Sequence, residues 1–253
     1  MAIETPRGRR ARTTARAAVA GILIVLASAV VTSVCLGPGR RFWHPYVLAL
    51  TGPRTHADVV ASLEASRRAA LREAVTRAGS PYPPRRLRLV GLKEEKTLEV
   101  WAPGGGRWIR LKAYPVLAAS GGPGPKLREG DGQVPEGIYR LTAFNPNSSY
   151  HLSIRVDYPN AEDRRAAALD GHTTLGGDIF IHGKAVSIGC LAIGDPAIEE
   201  LYLLLADTGL RNADIVLTPS LRPVTPTGAP AWIGERYERI RQSLAALQRN
   251  REP

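Results

Sequence analysis

The segment Asp178-Ile-Phe-Ile-His182-Gly183-Lys-Ala-Val-Ser187-Ile188-Gly189-Cys190 places an imidazole and a thiol eight residues apart. The β-rich run 178–182 delivers His182, and a seven-residue loop leads to Cys190. Such a loop can double back and bring the two side chains together. Only a thiolate attacks carbon, and a free cysteine titrates near pKa ~8.5, so a thiol nucleophile needs a base beside it. His182 is that candidate base. Gly189 lacks a Cβ, so its backbone can turn until the N–H groups of Gly189 and Cys190 face a developing oxyanion. The bland alternative is a buried cysteine acting as a small hydrophobe and a satisfied core histidine. Spacing alone leaves the two readings even.

Other residues are weaker candidates. In Tyr150-His151-Leu-Ser-Ile-Arg-Val156, alternation puts Tyr150, Leu152, Ile154 and Val156 on one strand face. His151, Ser153 and Arg155 then share the other, as a polar face or as a substrate contact. His172 reads as a loop residue, and His44 and His56 receive no role. A zinc site needs three or four ligands; His151, His172, His182 and Cys190 are the available set, but no metal-binding spacing supports it. No metal and no cofactor is expected.

These residues need a scaffold. Short β-rich runs at 87–92, 97–102, 107–118, 138–144, 149–156, 178–182 and 213–217 are separated by Gly/Pro/Asn turns, which predicts a mainly-β domain. Two helices interrupt it, at 160–169 and 196–208, the second with Asp195 as expected N-cap and Pro196 at its first position. Ahead of the domain, Gly37, Pro38, Gly39, Pro45, Gly52 and Pro53 predict a linker over 37–55, and apolar spacing predicts an amphipathic helix over 56–78. After it come a Pro-rich stretch, 219–230, and an amphipathic helix, 232–248. The expected division is 1–16, 17–36, 37–84, 85–218 (catalytic domain) and 219–253.

Residues 1–16 hold five arginines and one acid, and Ala17–Leu36 carries no charge. About 20 apolar residues suffice to span a bilayer, so 17–36 is expected to be a transmembrane helix with the basic tail in the cytoplasm. A cleaved signal peptide ending near Ala27-Ser28-Ala29 is the competing reading. A lipoprotein signal at Cys35 is weaker, since Val34 precedes it. On both leading readings the rest of the chain lies outside the cytoplasm, where an unpaired thiol at Cys190 is a liability unless used. The chain has 253 residues, 44% of them hydrophobic, which excludes wholesale disorder. Its two cysteines exclude a disulfide scaffold. The net charge of +11 suits an anionic partner, but no aromatic-interleaved basic patch points to nucleic acid.

Ile181-His182-Gly183 followed by Ser187-Ile188-Gly189-Cys190 resembles the signature of the L,D-transpeptidase catalytic domain, the YkuD-type fold: His-Gly, a spacer, then Ser-x-Gly-Cys. The short spacer is similar to the murein L,D-transpeptidase branch. Gly124-Pro-Lys126-Leu-Arg128-Glu-Gly-Asp131-Gly-Gln-Val-Pro135-Glu136-Gly137-Ile-Tyr139, Asn145-Pro-Asn-Ser-Ser-Tyr150-His151-Leu, Asp157-Tyr-Pro-Asn160 and the helix start at Asp195 also match, covering roughly 85–218. The resemblance implies a β-sandwich-like domain acting on peptidoglycan stem peptides that end in meso-diaminopimelate–D-alanine. It implies Cys190 as nucleophile, His182 as base then acid, the Gly183 carbonyl orienting the imidazole, and Gly189 and Cys190 N–H groups as oxyanion hole. Substrate contacts are expected from Ser187, Tyr150, His151, Lys126 and Arg128; Lys184 shares the expectation of holding carboxylates. Three outcomes stay open: transfer to an amine of another stem, hydrolysis (trimming D-alanine or releasing a wall-attached lipoprotein), and an idle peptidoglycan-binding anchor.

Overall fold

The computed structural model describes residues 6–35, 39–222, 224 and 228–249, and the chain divides into two units, 1–52 and 53–253. In the first unit, α1 runs Pro6–Cys35 and α2 runs Arg40–Thr51. Two expectations are corrected here. α1 starts inside the basic tail and not at Ala17: alanine and arginine favour helix and nothing between Pro6 and Cys35 breaks it. Val19, Ile22, Leu23, Ile24, Val25 and Leu26 are exposed on it. The expected transmembrane helix is not supported, because among the described residues no helix is long and apolar enough to cross a membrane. The stretch 40–51 is not linker. Pro45 sits inside α2, where its missing N–H removes one helical hydrogen bond without ending the helix.

The second unit begins with α3 (His56–Leu63), a π-helical stretch (Glu64–Arg68) and α4 (Ala69–Arg77). Thr55 and Asp58 form a reciprocal capping box that starts α3. Eight strands follow: β1 Leu87–Leu92, β2 Thr97–Gly104, β3 Arg107–Pro115, β4 Gly137–Asn145, β5 Ser153–Val156, β6 Phe180–His182, β7 Leu191–Ala192 and β8 Ala213–Thr218. Three helices join them: α5 Ala161–Leu169, α6 Asp195–Thr208 and α7 Ile233–Gln248.

The expected sandwich-like pair of sheets is one sheet of order β3-β2-β1-β8-β4-β5-β6-β7. β4 belongs to both halves: its first residues pair with β8, and its last pair with β5. A bulge between Leu141 and Ala143 lies where the partners change. β1 pairs in parallel with β8 and β6 with β7; the other neighbours are antiparallel.

β1 is buried on both faces, and its alternation sorts the core. Leu87 and Leu89 join the main cluster with Ile198, Leu201, Leu203 and Leu205 of α6. Val90 and Leu92 join Val216, Ile240, Leu244 and Leu247 in the cluster under α7. The sheet is thus covered by α6 on one side and α7 on the other. α7 also carries polar bolts: Arg236 bonds the Glu136 carbonyl (3.0 Å) and Asp163 (2.9 Å), and Tyr237 donates to Glu136 Oε2 (2.5 Å).

Candidate active site

β6 carries His182, and Cys190 directly precedes β7. The parallel register of the two strands sets Ile181 against Leu191 and His182 against Ala192. Cys190 lies in the bend just before β7, and its sulfur meets β6 at the Phe180 N–H, two residues from His182.

His182 is buried, and its Nδ1 lies 2.6 Å from the carbonyl oxygen of Gly183. A carbonyl only accepts, so Nδ1 carries the proton and the neutral ring keeps a lone pair on Nε2. Burial lowers the imidazole pKa from 6.5, opposed by the bond to Gly183, so the ring is neutral at pH 7. The Tyr150 ring lies against it, centroids 4.7 Å apart.

Gly183 is there because nothing larger fits. A Cβ at this position would lie 2.5 Å from Asp195 Oδ1 and 2.7 Å from the Tyr150 carbonyl oxygen. Asp195 is not the N-cap of α6; Gly194 is. The Asp195 carboxylate turns back to accept the Lys184 N–H (2.9 Å) and to pair with the Lys184 ammonium. Burial alone would raise its pKa, but these bonds hold it below the usual carboxylate value. The ammonium expected to bind a substrate carboxylate is therefore committed internally.

Cys190 is a free, half-buried thiol. The Phe180 N–H donates to Sγ at 3.4 Å, and the thiol points toward the Asp178 carbonyl oxygen at 3.5 Å. Burial pushes its pKa above 9.0, with the Phe180 N–H and the charge of Lys126 pulling the other way. No hydrogen bond joins Sγ to His182 in this structure. At rest the pair is a neutral thiol and a neutral imidazole, and the sulfur must turn away from Asp178 to reach the ring.

Both N–H groups expected to form an oxyanion hole are occupied. Gly189, at φ +87, donates to Ser120 Oγ (2.5 Å) and Cys190 donates to Ser187 Oγ (3.0 Å). Ser187 in turn donates to the Cys190 carbonyl at 2.6 Å, so it serves the loop backbone. Several expected substrate contacts move elsewhere. Residues 150–152 are turn, not strand, because β5 begins at Ser153 and His151 has φ +80. His151 Nε2 donates to Glu199 Oε1 at 2.7 Å, and Arg67 holds the other oxygen of Glu199. Lys126 is buried and paired with Asp131 at 2.7 Å, with the Arg128 carbonyl as a second acceptor. Arg128 is exposed, as is Ile188 beside Gly189. Among the described residues no three His, Cys, Asp or Glu side chains gather as a metal set.

Sequence reasoning did not single out Ser120 or Gln133. The carbonyl oxygen of Gln133 would lie 3.4 Å from a Cβ at Gly189. Both residues reach the loop through tertiary contacts, Ser120 across 69 positions, and no local pattern announces them.

Residues 86–226 match the model of the YkuD family, the L,D-transpeptidase catalytic domain. The chain belongs to that family. This L,D-transpeptidase-family chain is 38% identical over 112 residues to an Escherichia coli (strain K12) protein named "Putative L,D-transpeptidase YafK", a match covering 44% of the chain and 43% of that protein. The chain thus aligns with less than half the length of its curated relative. Among solved structures it is similar to the helical cell shape determining protein Pgp2 of Campylobacter jejuni (23% identity, TM-score 0.45, covering 56% of this chain and 50% of that one). L,D-transpeptidase 1 of Mycobacterium tuberculosis is also similar (16% identity, TM-score 0.30, covering 52% and 61%).

Proposed function

We propose that this chain is a peptidoglycan L,D-transpeptidase that uses Cys190 as nucleophile and His182 as base. The observation that carries the reading is the Nδ1 contact with the Gly183 carbonyl, which leaves the lone pair of a neutral imidazole on the free nitrogen, with the thiol held against the same strand by the Phe180 N–H. The donor we assign is a peptidoglycan stem peptide ending in meso-diaminopimelate–D-alanine, in keeping with membership of the L,D-transpeptidase family.

The steps follow from the resting charges. With the thiol pKa raised and the imidazole pKa lowered, proton transfer to Nε2 accompanies attack and does not precede it. Sγ bonds to the carbonyl carbon of the L-centre of diaminopimelate, and the oxygen takes the electron pair. The Gly189 and Cys190 N–H groups receive that charge once their serine partners yield. As the carbonyl re-forms, the bond to D-alanine breaks and His182 returns the proton to the departing amine. An amine of a second stem then attacks the thioester carbon and gives a proton to His182, and the C–S bond breaks as that proton returns to Sγ. Such stems lie outside the cytoplasm, so the domain works there; a reporter fused after residue 60 that functions only in the cytoplasm would sink that location.

The test is incubation of the purified chain with a defined disaccharide-tetrapeptide and mass spectrometry. Transfer yields a product carrying two stems with one D-alanine lost. Hydrolysis yields one stem that has lost D-alanine and gained water, and assigns the same thiol to a hydrolase. Cys190→Ala and His182→Ala are expected to abolish both; turnover undiminished in Cys190→Ala overturns the thiol mechanism.

A further inference from the structure

The catalytic loop holds its oxyanion donors shut at rest, and one of the two clasps comes from elsewhere in the chain. After β3, the Leu117 N–H donates to the Ala192 carbonyl (2.8 Å) and the Ala192 N–H donates to the Ala118 carbonyl (3.0 Å). This laces residues 117–118 onto β7 and carries the Ser120 hydroxyl to the N–H of Gly189. An N–H that already has an acceptor stabilises an oxyanion only by giving that acceptor up.

The two clasps are not equivalent. Ser187 is closed at both ends, accepting from Cys190 N–H and donating to the Cys190 carbonyl within one loop. Ser120 makes one contact from a separate segment. Gly121 beyond it is packed against Gln133, but at Gly122 a Cβ would meet nothing within 4 Å. A main chain with that freedom can withdraw the hydroxyl without moving β7.

We propose that Ser120 is a positioning residue that keeps the Gly189 N–H closed at rest and hands it to the acyl oxygen during acylation. The proposal rests on Cys190 being the acyl-accepting thiol. With an activated ester, Sγ bonds to the acyl carbon while the thiol proton goes to His182. The carbonyl electron pair moves onto oxygen and returns as the C–O bond to the alcohol group breaks. Removing the Ser120 hydroxyl leaves Gly189 N–H free for that oxygen from the start.

The experiment compares full-length wild type, Ser120→Ala and Ser120→Thr in two reactions at Cys190. Acylation by p-nitrophenyl acetate passes through an oxyanion. Alkylation by iodoacetamide displaces iodide and forms none, so it reports only thiol access and ionisation. Ser120→Ala is expected to acylate about fivefold faster, the factor one net hydrogen bond is worth, and to alkylate at the wild-type rate. Ser120→Thr, which keeps a hydroxyl, is expected to acylate like wild type. Equal or slower acylation in Ser120→Ala, or a parallel rise in both reactions, overturns the proposal. Ser120→Gly is read the same way if the alanine variant melts early. The stem-peptide assay runs alongside. A wild type inert on stem peptide, with the ester acceleration intact, dismisses transpeptidation and keeps Ser120. Full stem turnover without the acceleration dismisses Ser120 alone.

Discussion

Gly183→Ala tests the scaffold of the site at one atom. The added Cβ would lie 2.5 Å from Asp195 Oδ1, 2.7 Å from the Tyr150 carbonyl oxygen and 3.1 Å from His151 Cβ. Two of those neighbours are fixed. Asp195 is held by the Lys184 N–H and ammonium, and the Tyr150 carbonyl belongs to the turn before β5. The cheapest relief is a shift of the Gly183 peptide itself, which weakens its N–H bond to Leu152 and moves the carbonyl that orients His182. Overpacking a tight site costs about 1–3 kcal/mol. Taking ~2 kcal/mol for a chain of this size, the melting temperature falls by about 4–8 °C. Catalysis suffers more, because an imidazole released from its tautomer offers the wrong nitrogen. In a serine triad the corresponding loss approaches ~10⁴-fold, and with partial release we expect about 10²-fold here. Urea unfolding and mass-spectrometric trapping of Cys190 with a carbapenem measure the two effects. Gly234→Ala on α7, with open space around its Cβ, is the control and is expected to lose neither stability nor activity. If Gly183→Ala matches that control in both assays, the carbonyl does not orient the imidazole.

Further outcomes are expected. Iodoacetamide alkylation of Cys190 should rise with pH toward a midpoint above 9.0, because burial disfavours the thiolate; a midpoint near 6 would mean a preformed ion pair. The acid limb of acylation should lie below pH 6.5, since the base is lost only when the buried His182 is protonated. The same lowered pKa makes His182 stabilise the fold above pH 6.5, and that contribution fades as pH falls through the window beneath it, which denaturant titrations at several pH values would show. Lys93→Met strips the partner from Glu136, which is fully buried, and leaves the Gly124 and Val134 carbonyls without their shared ammonium. A loss of about 3–5 kcal/mol is expected by urea denaturation, and a change under 1 kcal/mol would refute it.

The reading from sequence succeeded where the cue was local and failed where a contact crossed the chain. β1 was legible because Leu87-Arg-Leu-Val-Gly-Leu92 is β-rich and bounded by breakers. α5 was legible because Asn160 and Asp163 make a capping box. The segment 149–152 read as strand from alternation, yet Ser148 accepts the Tyr150 N–H and closes a turn that alternation cannot reveal. Lys126 read as a substrate contact because its pairing with Asp131, in a loop that buries the lysine, has no local cue. β7 is two residues long and has no periodicity to detect. His182 and Cys190 stood out through residue type and spacing, whereas Ser120 and Gln133 come to the loop only through the tertiary fold.

The parallel pairing of β1 with β8 has a consequence for how the molecule is made. Arg88 and Asp214, matched across that ladder, are 126 positions apart, and β8 is also the strand that joins β1 to β4. A nascent chain therefore carries two unfinished β-edges until its last strand emerges. Closing so long a loop is slow, and folding must wait for synthesis to be nearly done.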